Sequence, residues 1–280
     1  MNTLNNQSPT TPATRPRVGL IIVGDEIMSG KRSDKHMPKM IELLAERGLQ
    51  LDYADYVGDS PELITSTLKR AFSSGDIIFA CGGIGATPDD HTRQCAAKAL
   101  GLPLVLHPKA EDLIRQRMKD LALETGQPYE PEHPNNIHRL NMGMFPQGAN
   151  IITNPYNKIP GFTYGTVHFV PGFPVMAWPM IASVLDDCYS HLFQTAAWIE
   201  KSVIVMGSME AVLTPLMESL EKDFPGIKVF SLPSVDHPQY GRHIELGVKG
   251  APNSAEKAYI AMLEGLSRFN LKLGPELVRN

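Results

Sequence analysis

Cysteine is scarce in this sequence: Cys81, Cys95 and Cys188 are the three present in 280 residues. They are too few and too scattered for a disulfide framework, and no C-x-x-C pair offers a structural zinc site. The nine histidines form no H-x-x-x-H pair, so a soft-metal site lacks its usual spacing. Positive charge is also in short supply. The 26 Lys and Arg stand against 30 Asp and Glu, a formal net charge of -4, so there is no basic surplus to neutralise a nucleic acid's phosphates. No apolar run approaches the roughly 18 residues that a membrane span needs. The amino terminus has no apolar core of the kind that marks a signal peptide. Residues 1–16 are polar, rich in Asn, Thr and Pro, and read as a disordered tail. These absences point to a cytoplasmic protein with neither nucleic acid nor membrane as its partner.

What is present is ordinary globular material, 42% hydrophobic and 20% charged, long enough for two moderate domains. Short apolar runs alternate with helical patterns. Val18 to Val23 reads as a buried strand, and Asp34 to Arg47 as a helix with Met37, Met40, Ile41 and Leu44 on one face. Leu51 to Val57 is a weaker strand. Ser60-Pro61-Glu62 carries an N-cap serine, a proline at the first helical position and an acid in the first turn. The helix it opens turns Leu63, Ile64, Thr67, Leu68 and Ala71 inward. Asp76 to Cys81 is a continuous apolar run of the kind buried in a parallel sheet. Thr87-Pro88 opens another helix, closed by Gly101, and a further helix spans about Ala110 to Leu123. Thr125 to Asn150 is rich in proline and asparagine and has no pattern, and so reads as a long loop. Thr166 to Val170 is a strand, and Pro174 to Phe193 a helix. The order predicts a three-layer α/β/α fold around a mostly parallel sheet, over residues 17–195.

A second domain is expected at residues 200–272, after a boundary near Gln194 to Glu200. Lys201 to Met206, Ile227 to Leu232 and His243 to Lys249 read as strands, and Ser208 to Phe224 and Asn253 to Phe269 as helices. That βαββα order makes a small α+β domain. Leu271 to Asn280 reads as loose chain.

In a parallel sheet, four unusual strand ends of the first domain would share one edge. These are Gly24-Asp25-Glu26, continuing to Ser29-Gly30; Gly58-Asp59; the run from Gly82 through Gly83, Gly85, Thr87 and Asp89 to Asp90; and Pro171-Gly172-Phe173-Pro174. Ligands of open α/β sheets bind beyond the carboxyl ends of the strands. Gly82, Gly83 and Gly85 permit positive φ and close approach of backbone amides to an anion. A helix opening at Thr87-Pro88 would add its free N–H groups and dipole. The pattern is neither G-x-G-x-x-G nor a Walker A loop. Thr87 and Asp90 also fit a capping arrangement, and Ser60-Pro61 alone explains an acid ahead of a helix at Asp59. Beside a phosphate cradle, Asp59 and Asp90 would suit a hydrated Mg²⁺ or another divalent metal. Blander readings cover other residues. Cys81 is a small core side chain, His91 a surface histidine, Met176 and Trp178 pack a helix, and His138 and Arg139 sit on a solvated loop.

Taken together, G-D-E-I at Gly24 to Ile27, G-G-I-G-A-T-P-D-D-H-T at Gly82 to Thr92, Asn154-Pro155, Pro160-Gly161 and P-G-F-P at Pro171 to Pro174 resemble the MoaB/Mog molybdopterin-binding domain. The nearest subgroup is the amino-terminal part of competence/damage-inducible protein A. The likeness covers about Arg17 to His191, and the small domain is similar to the KH-like middle domain of those proteins. Their deamidase domain has no room here. The resemblance implies frequent self-association and a pocket for molybdopterin, or for a diphosphate such as ADP-ribose. It adds Asn154, Pro160, Gly161, Pro171 and Gly172 to the residues lining that pocket, and makes Asp59 and Asp90 the acids that serve metal and phosphate chemistry.

The chain departs from the family pattern at several positions. Cys81 stands for a usual threonine, Ala86 for a proline, Asn157 for a glycine, and Met176 for an acid. Methionine cannot replace a carboxylate as metal ligand or base. Three readings follow: an enzyme acting on a phosphoanhydride, such as an ADP-ribose pyrophosphatase or a nucleotidyl transferase; a binding module for a pterin or nucleotide diphosphate without chemistry; and an oligomeric scaffold with a vestigial pocket.

Overall fold

The structure, a computed structural model, describes residues 16–193 and 199–279. The expected tail lies almost wholly outside the described residues, as does most of the expected domain boundary. Between Phe193 and Gln194 the chain divides into two compact units.

The first unit runs β1 (Val18–Val23), α1 (Asp25–Met28), α2 (His36–Ala45), β2 (Tyr53–Val57), α3 (Pro61–Ser74), β3 (Ile77–Cys81), α4 (Thr92–Leu100), β4 (Leu104–Leu106), α5 (Pro108–Thr125), α6 (Pro134–Leu140), β5 (Met144–Pro146), β6 (Asn150–Ile152), β7 (Gly161–Tyr164), β8 (Val167–Val170) and α7 (Pro174–Tyr189). Its main sheet has the order β2-β1-β3-β8-β7-β6. The first four strands are mutually parallel, and β7 and β6 run against their neighbours. The sheet is therefore mixed, with a parallel centre.

Every residue of β1 and β3 is buried, because helices cover both faces. Leu20, Ile22 and Phe79 pack with Met40 and Leu44 of α2 and Met180 and Ile181 of α7. Their alternates Ile21, Ile78 and Ala80 pack with Ile64 and Leu68 of α3 and Ala96 of α4. Strand periodicity thus divides one apolar run between two cores. Each fully buried large side chain contributes roughly 1.5–3 kcal/mol of transfer free energy.

Local chemistry sets the helix ends. Asp34 lies outside α2 rather than opening it, because its carboxylate accepts from the amides of His36 at 2.8 Å and Met37 at 3.1 Å. Leu43 takes the inward place expected for Ile41, which is exposed. On α3 the Ser60 cap holds as read, its Oγ accepting from Leu63 N at 3.4 Å. Leu63, however, faces outward. The stretch read as a long loop contains α6 and β5, and β5 pairs antiparallel with β4.

The second unit comprises β9 (Ile199–Met206), α8 (Glu210–Asp223), β10 (Lys228–His237), β11 (Gly241–Gly250), α9 (Pro252–Ser267) and β12 (Lys272–Arg279). They form an antiparallel sheet of order β10-β11-β9-β12. Val203, Val205, Leu246 and Val248 meet Leu213 of α8 and Tyr259 and Met262 of α9 in its core. The segment expected to be loose is the edge strand β12, so the order is βαββαβ. Arg279 fastens its end, pairing with Glu200 at 2.8 Å and with Glu245. No helix among the described residues is long and apolar enough to cross a membrane.

Candidate functional site

Parallel pairing of β2, β1, β3 and β8 brings their carboxyl ends to one edge of the sheet, in the order Gly58-Asp59, Gly24-Asp25, Gly82-Gly83, Pro171-Gly172. The reversed strands extend this edge. β6 ends, and β7 begins, beside the end of β8, so the segment from Asn154 to Pro160 emerges there too. Gly172 lies directly on Gly82: a Cβ at Gly172 would stand 3.4 Å from the Gly82 Cα.

The loop from Gly82 to Asp90 is held from behind. Gly82 and Gly83 have φ of 104° and 66°, in the region that favours glycine. A Cβ would meet Val23 O at 2.3 Å from Gly82, and Thr92 Oγ1 at 2.2 Å from Gly83. Thr92 is fully buried. Its Oγ1 donates to Gly82 O at 3.0 Å and its amide to Gly83 O at 2.9 Å. Arg93 Nη2 donates to Gly85 O, and His138 Nε2, from α6, donates to Ala86 O at 3.0 Å. Four loop carbonyls are therefore tied down. Among the described residues no hydrogen bond takes the amides of Gly83, Ile84, Gly85 or Ala86. Successive unpaired amides of this kind form an anion-binding concavity.

Two expectations for this loop are corrected. The helix does not open at Thr87-Pro88. α4 begins at Thr92, because Thr87 and Asp90 close a turn of their own: Thr87 donates to the Asp90 carboxylate through its amide at 2.8 Å and its hydroxyl at 2.5 Å, and the Asp90 amide returns to Thr87 O at 3.0 Å. Gly85 is not in a positive-φ conformation among the described residues. It is small for contact, since its Cβ would stand 2.5 Å from Asp90 Oδ2. The Asp89 side chain is exposed beside this turn.

Asp25 and Asp59 are linked reciprocally. The amide of Asp25 donates to Asp59 Oδ2, and the amide of Asp59 to Asp25 Oδ1, both at 3.0 Å. Gly58 admits this exchange, as its Cβ would lie 2.5 Å from Asp25 Oδ1. Partial burial raises the Asp59 carboxyl above its ordinary value. The hydrogen bond from Asp25 lowers it, and the negative charges of Asp25, Glu26 and Asp89 raise it again. Asp59 therefore feels the glycine loop through Asp89, while Asp90 is turned to Thr87. Ser29 and Gly30 sit in an exposed turn past α1, with no side-chain hydrogen bond to the glycine loop among the described residues.

The outer part of the edge is braced by Asn154, which is 1% exposed. Its Nδ2 donates to Asn157 Oδ1 at 2.8 Å and to Ile159 O at 3.0 Å, and its Oδ1 accepts from Tyr156 N. Asn157 Nδ2 in turn reaches Met176 Sδ at 3.3 Å. Pro160 is buried. Gly161 is a packing glycine, its Cβ position 2.2 Å from Phe169 O. The carbonyl of Gly172 accepts from His36 Nε2 at 2.9 Å, and the buried His36 Nδ1 has no partner among the described residues.

The solvated-loop reading of His138 gives way to its bond with Ala86. Arg93, which sequence reasoning missed, is 2% exposed. An arginine one position past a helix start reads as a surface residue, and only its neighbour Thr92, inside the motif, hinted otherwise. Of the two acids expected to hold a metal, Asp59 exchanges hydrogen bonds with Asp25, and Asp90 accepts from Thr87. No group of three or more His, Cys, Asp or Glu placed to hold an ion occurs among the described residues. A cavity of about 330 Å³ lined by Arg17, Tyr53, Asp55 and Asp76 involves the opposite ends of the strands, away from all these groups.

Comparison with known proteins fits this architecture. A family model described as "Probable molybdopterin binding domain" matches residues 19–191. A protein of Pyrobaculum calidifontis is 28% identical over 258 residues, covering 90% of this chain and 94% of the relative. A CinA-like protein of Mycobacterium tuberculosis is likewise 28% identical over 258 residues, covering 87% of this chain but 57% of the relative, so the chain spans little more than half of that protein. The crystal structure of the protein CinA, of unknown function, from Thermoplasma acidophilum superimposes with a TM-score of 0.51 at 24% identity, over 61% of this chain and 98% of that one. That likeness shows a shared fold. With the family model spanning more than half of the sequence, the chain belongs to the probable molybdopterin binding domain family and has CinA-like proteins among its relatives.

Proposed function

We propose that the carboxyl edge of the first unit binds a phosphate-bearing pterin, molybdopterin or a close relative, with the phosphate on the amides of Gly83 to Ala86. One observation carries this reading: four neighbouring amides have no partner among the described residues, while the loop's carbonyls are held by Thr92, Arg93 and His138. Successive amides without a protein acceptor are free to donate to a ligand, and a phosphate offers several acceptor oxygens. Gly24, Asp25, Glu26 and Asp59 on one side, and Asn154, Pro160, Pro171 and Gly172 on the other, would form the walls.

A nucleotide diphosphate such as ADP-ribose presents the same phosphate chemistry, and hydrolysis at its pyrophosphate is the enzymatic form of this reading. The crowded charge around Asp59 supports a place there for Mg²⁺, with Asp90 as the second acid that the family resemblance brings to it. When bound with the ligand, the ion would neutralise phosphate charge and fill its shell from water and phosphate oxygens. The residues themselves would position the anhydride and exclude water from one face of it.

The test is a thermal-shift series with molybdopterin, pterin phosphates, ADP-ribose, ATP and FAD, with and without Mg²⁺. A bound ligand raises the midpoint by mass action. A shift with pterin phosphates supports the proposal; a shift with ADP-ribose accompanied by release of AMP makes the protein a hydrolase. No shift with any of them overturns the binding reading and leaves a scaffold, whose self-association sedimentation of the same samples would measure.

A further inference from the structure

Arg93 is the one buried arginine among the described residues, and its surroundings do not balance it. Its Nη2 donates to the Gly85 carbonyl, while its buried Nε–H has no partner among the described residues. No ion pair joins it to a carboxylate among the described residues. The neighbouring charge that acts on it is Asp90, whose Oδ2 is occupied by Thr87. Burial draws the guanidinium down to about 10, against the opposing influence of Asp90. A buried cation without a paired anion is destabilising to the fold that contains it. Here it is tied to the backbone of the glycine loop, through the carbonyl of Gly85.

We propose that Arg93 supplies the fixed positive charge of this loop and makes it select a multiply charged phosphate group, such as a pyrophosphate, over a neutral pterin or nucleoside. The inference rests on the binding reading above and deepens it. The amides of Gly83 to Ala86 supply directional donors that any oxyanion could use. Arg93 adds net charge in a low-dielectric setting, where its attraction grows with each negative charge on the ligand. It is a positioning residue, acting through the Gly85 carbonyl and its field. A structural role alone would be to hold that carbonyl, and the two roles separate in experiment.

The test uses the full chain and inorganic pyrophosphate, with inorganic phosphate and adenosine as comparison probes. Arg93→Met replaces the cation by an apolar side chain of similar reach. Its ligand-free melting temperature should equal or exceed that of the parent, while pyrophosphate affinity falls at least about tenfold and any adenosine affinity stays unchanged. Arg93→Lys keeps the charge and should retain most of the affinity. A third readout needs no variant to fold well: in ¹⁵N–¹H spectra of the parent, the Arg93 Nε–H signal should move on titration and saturate with pyrophosphate. An Arg93→Met protein that is markedly less stable, yet binds pyrophosphate normally, overturns the proposal in favour of a structural role. So does an Nε–H signal that stays still while the protein saturates. If the parent binds none of the phosphate ligands, the binding reading itself has failed; if it binds them and Arg93 is indifferent, only this inference has.

Discussion

The side-chain amide of Asn157 donates to the sulfur of Met176 at 3.3 Å, joining two of the positions at which this chain departs from its family pattern. Asn157 comes from the segment between β6 and β7, and Met176 from the first turn of α7. Each departure accommodates the other: a glycine at 157 would leave the thioether without this contact.

A thioether accepts weakly and carries no charge, so it cannot hold a cation or take a proton as a carboxylate does. Met176→Glu is expected to raise metal-dependent cleavage of ADP-ribose about a hundredfold above the parent, at the lower end of what a positioned acid–base group contributes. The rate of AMP release in Mg²⁺ measures this. Equal rates for both proteins would mean that position 176 has no part in the chemistry.

Gly83→Ala strains the loop in two ways, through a φ of 66° and a Cβ placed 2.2 Å from Thr92 Oγ1. A loss of about 2–4 kcal/mol in urea unfolding is expected, since strain and overpacking add. Ligand binding should weaken as well, because Thr92 can move only by releasing the carbonyls of Gly82 and Gly83. Alanine at Gly30, where nothing lies within 4 Å, should cost only the positive-φ penalty, about 1 kcal/mol.

Asp59 has a carboxyl raised in the folded state, first by burial. A carboxyl raised above its unfolded value favours folding when protonated. That contribution is complete below the unfolded pKa and is lost as pH rises through the folded one. Asp59→Asn preserves an acceptor for the Asp25 amide and removes the charge. The variant should be more stable than the parent at pH 7, with the difference vanishing at strongly acidic pH. Added Mg²⁺ should stabilise the parent and not the variant, as read by melting temperature.

His168 gives the opposite pH dependence. It is 2% exposed, lies between Thr163 Oγ1 at 2.8 Å and Tyr189 OH at 2.7 Å, and burial lowers it from 6.5 to about 4. The unfolded chain then binds the extra proton between those values, so stability rises with pH across that window and falls on acidification. The size is on the order of 3 kcal/mol. Urea titrations at pH 4.5 and 7 should show it, and His168→Gln should flatten the difference.

The parallel centre was legible because its strands are continuous apolar runs punctuated by glycine, and Ser60-Pro61 announces α3 through side-chain chemistry alone. Thr87-Pro88 misled for a physical reason. It carries the same cap signals, but Asp90 consumes them in an isolated turn, and Thr92 starts the helix by binding Gly82 and Gly83. β12 was missed because Gly274 and Pro275 interrupt its pattern, and pairing with β9 overrides them. The exchange between Asp25 and Asp59 spans two strands and leaves no local trace. Arg93 sits where a surface arginine is expected, and its neighbour Thr92 is the one local sign of its burial.

The pairing of β3 with β8 has a mechanical consequence. The chain that leaves the sheet after β3 returns at the edge strand β6, and β7 then leads back to β8, which closes against β3 like the seam of a purse. Gly82 and Gly172 form the lips of that seam. An occupant resting on both would act as a clasp, slowing amide exchange throughout α5 and α6, including turns that no ligand touches.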